Sequence, residues 1–213
     1  MRTWWAIAWV SVAIGCGGSQ HTLAAGSTTA SPTLGALPEP PMPREEMTEH
    51  MRLGWQLAAS STLINMPDVP TRRDSATLET WSQTTLGEWL HHKSRALAAA
   101  SRELDAAAEE EPRQRIMGGA IVGLIYENAA QSMLSIPIPD ELADEPAIAD
   151  AYRDVVAFNA SPYLERARAA YRACAANARI HEEEMGAAWA SFCSGRLRLL
   201  PPSRVPPADA TEF

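Results

Sequence analysis

The chain has 213 residues, of which 46% are hydrophobic and 21% are charged, a composition typical of one ordinary globular domain. Its 26 acidic residues outnumber its 18 basic ones, for a formal net charge of −8 at pH 7. Because nucleic-acid binding relies on Lys and Arg to neutralise phosphate groups, this charge excludes DNA and RNA as expected partners.

Residues 1–15 have the pattern of a secretory signal peptide. Arg2 supplies a positive charge, residues 4–14 form an apolar run, and small residues precede Cys16. The run is too short for a membrane-spanning helix, which needs about 20 apolar residues. We therefore predict that residues 1–15 are removed on export.

The segment that ends at Cys16 resembles a bacterial lipobox, although Ala13 stands where leucine is commoner. The resemblance implies that the Cys16 thiol is diacylated and that the chain is cut before it. Two or more acyl chains give stable membrane attachment. Gly17 follows, where an aspartate would imply retention in the inner membrane of Gram-negative bacteria, so the resemblance implies the outer membrane. The alternative is an ordinary signal peptide with an unmodified cysteine.

Residues 16–43 are rich in Gly, Ser, Thr, Ala and Pro and carry almost no charge. This composition indicates a flexible tether that stiffens towards its proline-rich end and spans roughly 25–30 Å. Residues 201–213 contain four prolines, which cannot continue a helix, and are predicted to be a disordered tail.

Between them, residues 44–200 show helical spacing and no strand pattern, which predicts an all-α domain. About six helices are expected, in an antiparallel bundle or a repeat-like array. Their expected ranges are Arg44–Ser61, Ser75–Glu109, Pro112 to about 135, Glu145–Phe158, Pro162–Arg179 after an N-cap at Ser161, and a last helix from Glu182.

Two apolar patterns make specific predictions about packing. The third helix carries an apolar run with Gly119 and Gly123 on one face, which predicts a buried central helix that another helix approaches closely. In the fourth helix, Ile148, Tyr152, Val155 and Val156 are expected to point inward.

Cys174 and Cys193 are predicted to form a disulfide. An exported protein meets an oxidising environment, and a turn near Glu183 brings the two cysteines level on antiparallel helices. Two buried free cysteines are the alternative.

The sequence contains no zinc-type cysteine pairs, nucleophile elbow or phosphate-binding loop. Glu88 and His91 form one Glu-x-x-His spacing, the weak candidate for a metal site, but di-iron bundles need two such pairs. Because His92 and Lys93 adjoin them, a solvated polar face is expected instead. Haem ligation by a histidine with one of several methionines is a further alternative to core packing, and the methionines concerned are Met42, Met47, Met51 and Met66.

Residues 167–174 resemble the second helix of a tetratricopeptide unit. Ala167, Tyr171 and Cys174 match its small, aromatic and small positions, but no 34-residue period is visible. More loosely, residues 126–174 are similar to the helical parts of repeat-containing envelope lipoproteins. The resemblance implies a helical surface that binds another protein.

The function expected from these features is a non-enzymatic envelope lipoprotein that binds another envelope protein, as an interaction or scaffold component. A helical bundle that binds a small ligand or a metal is the alternative. No cofactor is expected in the first case.

Overall fold

The computed structural model describes residues 42–180 and 184–201, which belong to one compact unit. Helices are the regular secondary structure of these residues, which confirms the all-α prediction. The predicted signal peptide and Cys16 lie outside the described residues, as does nearly all of the tether and tail. The helices are α1 (Glu49–Thr62), α2 (Ser75–Trp81), α3 (Gly87–Glu110), α4 (Pro112–Leu134), α5 (Asp140–Ala143), α6 (Pro146–Ile180) and α7 (Glu184–Leu199).

α2 and α3 form one continuous rod, as the sequence predicts for residues 75–109. Asp74 begins it, because its carboxylate accepts a hydrogen bond from the Thr77 amide at 2.9 Å. One π-helical turn, Ser82–Leu86, joins the two segments, and no sequence pattern predicted it. With this rod counted once, the described part of the chain has six helices, which agrees with the prediction.

The first helix begins later than predicted. Residues Arg44–Glu46 form a single 3₁₀ turn, and Met47 is extended. The hydroxyl of Thr48 then accepts a hydrogen bond from the Met51 amide at 3.2 Å, so Thr48 is the N-cap of α1. Thr48 also donates to Gln114 Oε1 through its amide and its hydroxyl, which fixes the entry of the chain beside the start of α4.

α4 is the central helix, as predicted, and most of its residues are buried. Its glycines allow close packing with α6. A Cβ atom on Gly119 would lie 3.3 Å from the Ala170 carbonyl oxygen, and one on Gly123 would lie 2.4 Å from the Tyr171 ring. The backbone of α4 therefore approaches α6 as closely as the sequence predicts.

The predicted break at Ser161–Pro162 is wrong, because α6 continues through Pro162 as one helix of 35 residues. Proline lacks the amide proton that would bond the Phe158 carbonyl. Pro162 is exposed, however, so water can satisfy that carbonyl. Ser161 is not an N-cap, since its hydroxyl donates back to the Ala157 carbonyl at 2.8 Å.

The second half of α6 packs antiparallel to α4, and its first half extends beyond α4. Cys174 lies beside Gly119, and Ala160 shares a core cluster with Met133 near the end of α4. α6 is 35 residues long and α4 is 23. At 1.5 Å per residue, the part of α6 before Ala160 therefore projects roughly 20 Å past the end of α4.

None of the helices in residues 42–180 and 184–201 combines the length and the apolar character that crossing a bilayer requires.

Candidate functional site

Cys174 on α6 and Cys193 on α7 lie at disulfide distance, with their sulfur atoms 2.05 Å apart and their Cα atoms 6.2 Å apart. Both side chains are fully buried. The two helices thus bring the cysteines level, as the sequence spacing predicts. Such a bond would link α7 to α6 in the core and leaves these sulfurs out of any surface site.

A buried carboxylate connects α4, α6 and α7. Glu127 is 1% exposed and accepts a hydrogen bond from the Tyr171 hydroxyl at 2.7 Å. Arg196 donates to both Glu127 carboxylate oxygens, and Gln131 donates to one of them. Burial, followed by the Glu127 charge, raises the pKa of Tyr171. Because every lone pair has a donor in reach, this network is a structural feature that fixes the three helices.

Lys93 is buried, so its predicted place on a solvated face is wrong. It is 1% exposed, and its Nζ atom donates to the Ser61 carbonyl at 2.7 Å and to Asn128 Oδ1 at 2.9 Å. It also reaches the Ile64 carbonyl, which accepts from the Trp89 indole as well. Lys93 therefore caps the carbonyl end of α1, and burial lowers its pKa to about 8.

Glu88 and His91, the metal candidate, lie on the exposed face of α3 together with His92. They line an open depression of about 750 Å³ beside the π-helical turn, with Gln83, Thr84 and Gly87. Among the described residues, no group of three His, Cys, Asp or Glu side chains is placed to hold a metal ion. The Glu88–His91 pair thus has a cavity next to it but lacks a third ligand of these types there.

His50 forms surface charge pairs. Its Nδ1 lies 2.8 Å from Glu103 Oε2, and the hydrogen bond to this carboxylate raises the pKa of His50. Met42, Met47 and Met51 are buried in the hydrophobic core. Met66 packs against the core cluster that contains Met133 and Ala160. The other histidine that stands beside acidic residues in the sequence, His181, lies outside the described residues.

The positions that resemble a tetratricopeptide helix face inward. Ala167 and Tyr171 are fully buried, and Tyr171 contacts Gly123 and Glu127 of α4 and the Phe192 ring of α7. They pack α6 against its two neighbours. Whether the chain is related to tetratricopeptide proteins stays a prediction.

Three exposed large hydrophobic side chains lie on the projecting half of α6, where the inward orientation predicted for Ile148 and Val155 is wrong. Ile148 is 42% exposed, Val155 is 59% exposed and Phe158 is 58% exposed, with half-buried Tyr152 between them. Of residues 150–159, none is buried. We call Ile148, Tyr152, Val155 and Phe158 the α6 stripe.

Three residues of this stripe, Ile148, Tyr152 and Val155, have the spacing that predicted an inward face, whereas Phe158 was not part of that prediction. Apolar residues at i, i+4 and i+7 indicate one face of a helix but do not say what that face packs against. Here α4 is too short to reach it, and buried Ala149 faces another direction.

Comparison of the chain with protein-family models, with curated proteins and with solved structures gives no match.

Proposed function

We propose that this protein is a lipid-anchored component of the bacterial cell envelope whose helical body binds another protein and catalyses no reaction. The observation that carries the proposal is the α6 stripe. Four apolar side chains share one face of a helix that extends past the end of α4. Apolar groups clustered on a projecting element mark an interaction surface more often than a catalytic one.

The proposed anchor is the acylated Cys16, as its resemblance to a lipobox implies. Residues 16–43 would then act as the tether, and Gly17 favours the outer membrane. The tether would meet the body at a defined point, because Met42 and Met47 are buried in the core and Thr48 bonds Gln114. A body held in this way can search for a partner near the membrane surface.

The anchor is tested by Cys16→Ser in the full chain, with an alanine-to-serine change at Ala24 in the same segment as the matched control. We expect the serine variant at residue 16 to leave the detergent phase on phase separation, and the control to stay there. Metabolic labelling with a radioactive fatty acid should mark the wild type, which has Cys16, and should not mark the Cys16→Ser variant. Retention of the Cys16→Ser variant in the detergent phase would contradict the lipid anchor.

The second candidate function is binding of a small ligand or metal at Glu88 and His91. The depression beside the π-helical turn favours it, because irregular turns of this kind often accompany binding sites. Metal analysis and an absorption spectrum of the purified full chain test this candidate. A stoichiometric metal in the wild type that is lost in Glu88→Gln and in His91→Ala would support metal binding as the function of this surface of α3.

A further inference from the structure

The α6 stripe lies at the opposite end of the domain from the point where the chain enters it. Thr48 bonds Gln114 near the start of α4, whereas Ala160 of α6 packs near Met133 at the end of α4. Gln114 and Met133 are 19 residues apart on α4, which separates these points by about 29 Å at 1.5 Å per residue. The stripe lies beyond that, so a partner can reach it without contacting the entry of the tether.

The segment that carries the stripe is acidic. Between residues 140 and 159, six exposed carboxylates accompany one basic residue, Arg153, which pairs with one of them. The loop packed beside α5 adds Arg72 and Arg73, but Arg72 pairs with Asp74. With these arginines counted, the segment and the loop beside it keep a net negative charge. The six carboxylates are Asp140, Glu141, Asp144, Glu145, Asp150 and Asp154.

This charge selects among the surfaces that could cover the stripe. A second copy of the chain would bring the same carboxylates against these, and like charges facing each other oppose association. An anionic lipid surface would repel them for the same reason. An apolar segment bordered by Lys and Arg would instead bury the stripe and neutralise its border.

The spacing of the stripe also specifies the shape of its occupant. Ile148, Tyr152 and Val155 follow one another at i, i+4 and i+7, the spacing at which two helices pack along each other. From Ile148 to Phe158 the stripe is about 15 Å long, at 1.5 Å per residue. About three turns of a partner helix would cover it.

We infer that the α6 stripe docks an amphipathic helix of another protein whose apolar face is bordered by Lys and Arg. The inference rests on the protein-binding function proposed above and assigns that function to one surface. Apolar contact would supply the attraction, and the opposite charges would supply specificity and faster association.

The first test uses the full chain in nanodiscs of zwitterionic phosphatidylcholine and two labelled peptides of 18 residues. Both peptides carry the same leucine stripe, one bordered by lysines and the other by glutamates. By fluorescence anisotropy, we expect the lysine-bordered peptide to bind at least tenfold more tightly. Equal binding of the two peptides, or no binding of either, would overturn the inference.

The matched variants separate the stripe from exposed apolar residues elsewhere. Val155→Ser with Phe158→Ser should weaken binding of the lysine-bordered peptide at least tenfold. Leu63→Ser with Leu199→Ser should leave it unchanged, although these leucines are 77% and 71% exposed. Thermal unfolding of both double variants should match the wild type, because all four side chains are exposed. Equal losses in the two double variants would overturn the assignment to α6.

The second test places a photo-crosslinking amino acid at residue 155 or at residue 63 of the full chain in the cells that produce it. We expect residue 155 to give an adduct with a different protein, through a helical segment with a basic border. Adducts from residue 63 alone would overturn the α6 assignment and leave the protein-binding function standing. An adduct of two copies at residue 155 would overturn the partner class, and no protein adduct at either site would overturn both proposals.

Discussion

The burial of Lys93 makes a prediction about stability and pH that can be worked out in full. Lys93 is the single lysine of the chain. Its ammonium group is 1% exposed, and its described hydrogen-bond acceptors are backbone carbonyls and the neutral amide oxygen of Asn128. Burial lowers its pKa from 10.5 to about 8. The charged form is thus favoured less in the folded protein than in the unfolded chain.

The sign of the pH dependence follows from this shift. Between pH 8 and pH 10.5, the unfolded chain retains a proton on Lys93 that the folded protein has released. The free energy of unfolding rises with pH wherever the unfolded state binds more protons. The contribution of Lys93 should therefore increase the free energy of unfolding as the pH is raised through this interval. At about 1.4 kcal/mol per pKa unit, the contribution between pH 8 and pH 10 is about 2 kcal/mol.

The measurement is the free energy of unfolding in urea at pH 8, 9 and 10, for the wild type and for Lys93→Met. Methionine keeps an unbranched side chain of similar length and removes the charge. Because Tyr171 and other groups titrate equally in both proteins, the difference between them isolates Lys93. The stability of the wild type relative to the variant should increase by about 2 kcal/mol across the series.

A second measurement keeps the prediction testable if Lys93→Met does not fold. Lysine-selective ¹³C labelling gives one Cε signal from this residue, and its chemical shift against pH reports the pKa directly. We expect a midpoint near 8. A midpoint at or above 10.5, or a stability difference that does not change with pH, would refute the reasoning.

Two further predictions concern the contacts of α6. Gly123→Ala should destabilise the protein by about 1–3 kcal/mol, because its Cβ would overlap the Tyr171 ring. Gly195→Ala should stabilise the protein by roughly 0.5–1 kcal/mol, since a Cβ added there would have no atom within 4 Å apart from those of its own stretch of helix. Urea unfolding of both variants compares them, and equal effects would contradict the packing described for α4 and α6. Cys174 and Cys193 should yield one linked peptide on mass-spectrometric mapping without reduction, and replacing both by alanine should cost about 3 kcal/mol. Free thiols at both positions in the exported protein would disprove the bond.

The start of α4 could be located from the sequence because it depends on local chemistry. Pro112 begins α4 after an acidic N-cap, Glu111, whose carboxylate accepts from the Gln114 amide. The close approach at Gly119 and Gly123 was equally predictable, since two glycines four residues apart leave one helix face without side chains. The level placement of Cys174 and Cys193 followed from counting residues on either side of one turn.

Three features could not be predicted because they depend on neighbours distant in sequence. Pro162 does not end α6, since its ring faces solvent and water can satisfy the carbonyl that it leaves without a partner. Lys93 adjoins two exposed histidines in the sequence, yet the end of α1 covers it. Ile148 has the spacing of a core residue but no neighbour to cover it, because α4 ends too early.

The α6 stripe illustrates this division most directly. The sequence by itself determined that the fold is all-α, and that Ile148, Tyr152 and Val155 share a face, because helix formation and periodicity are local properties of the chain. Only the tertiary structure decided whether that face is core or surface. The physical reason is that burial depends on which helices meet and how long each one is.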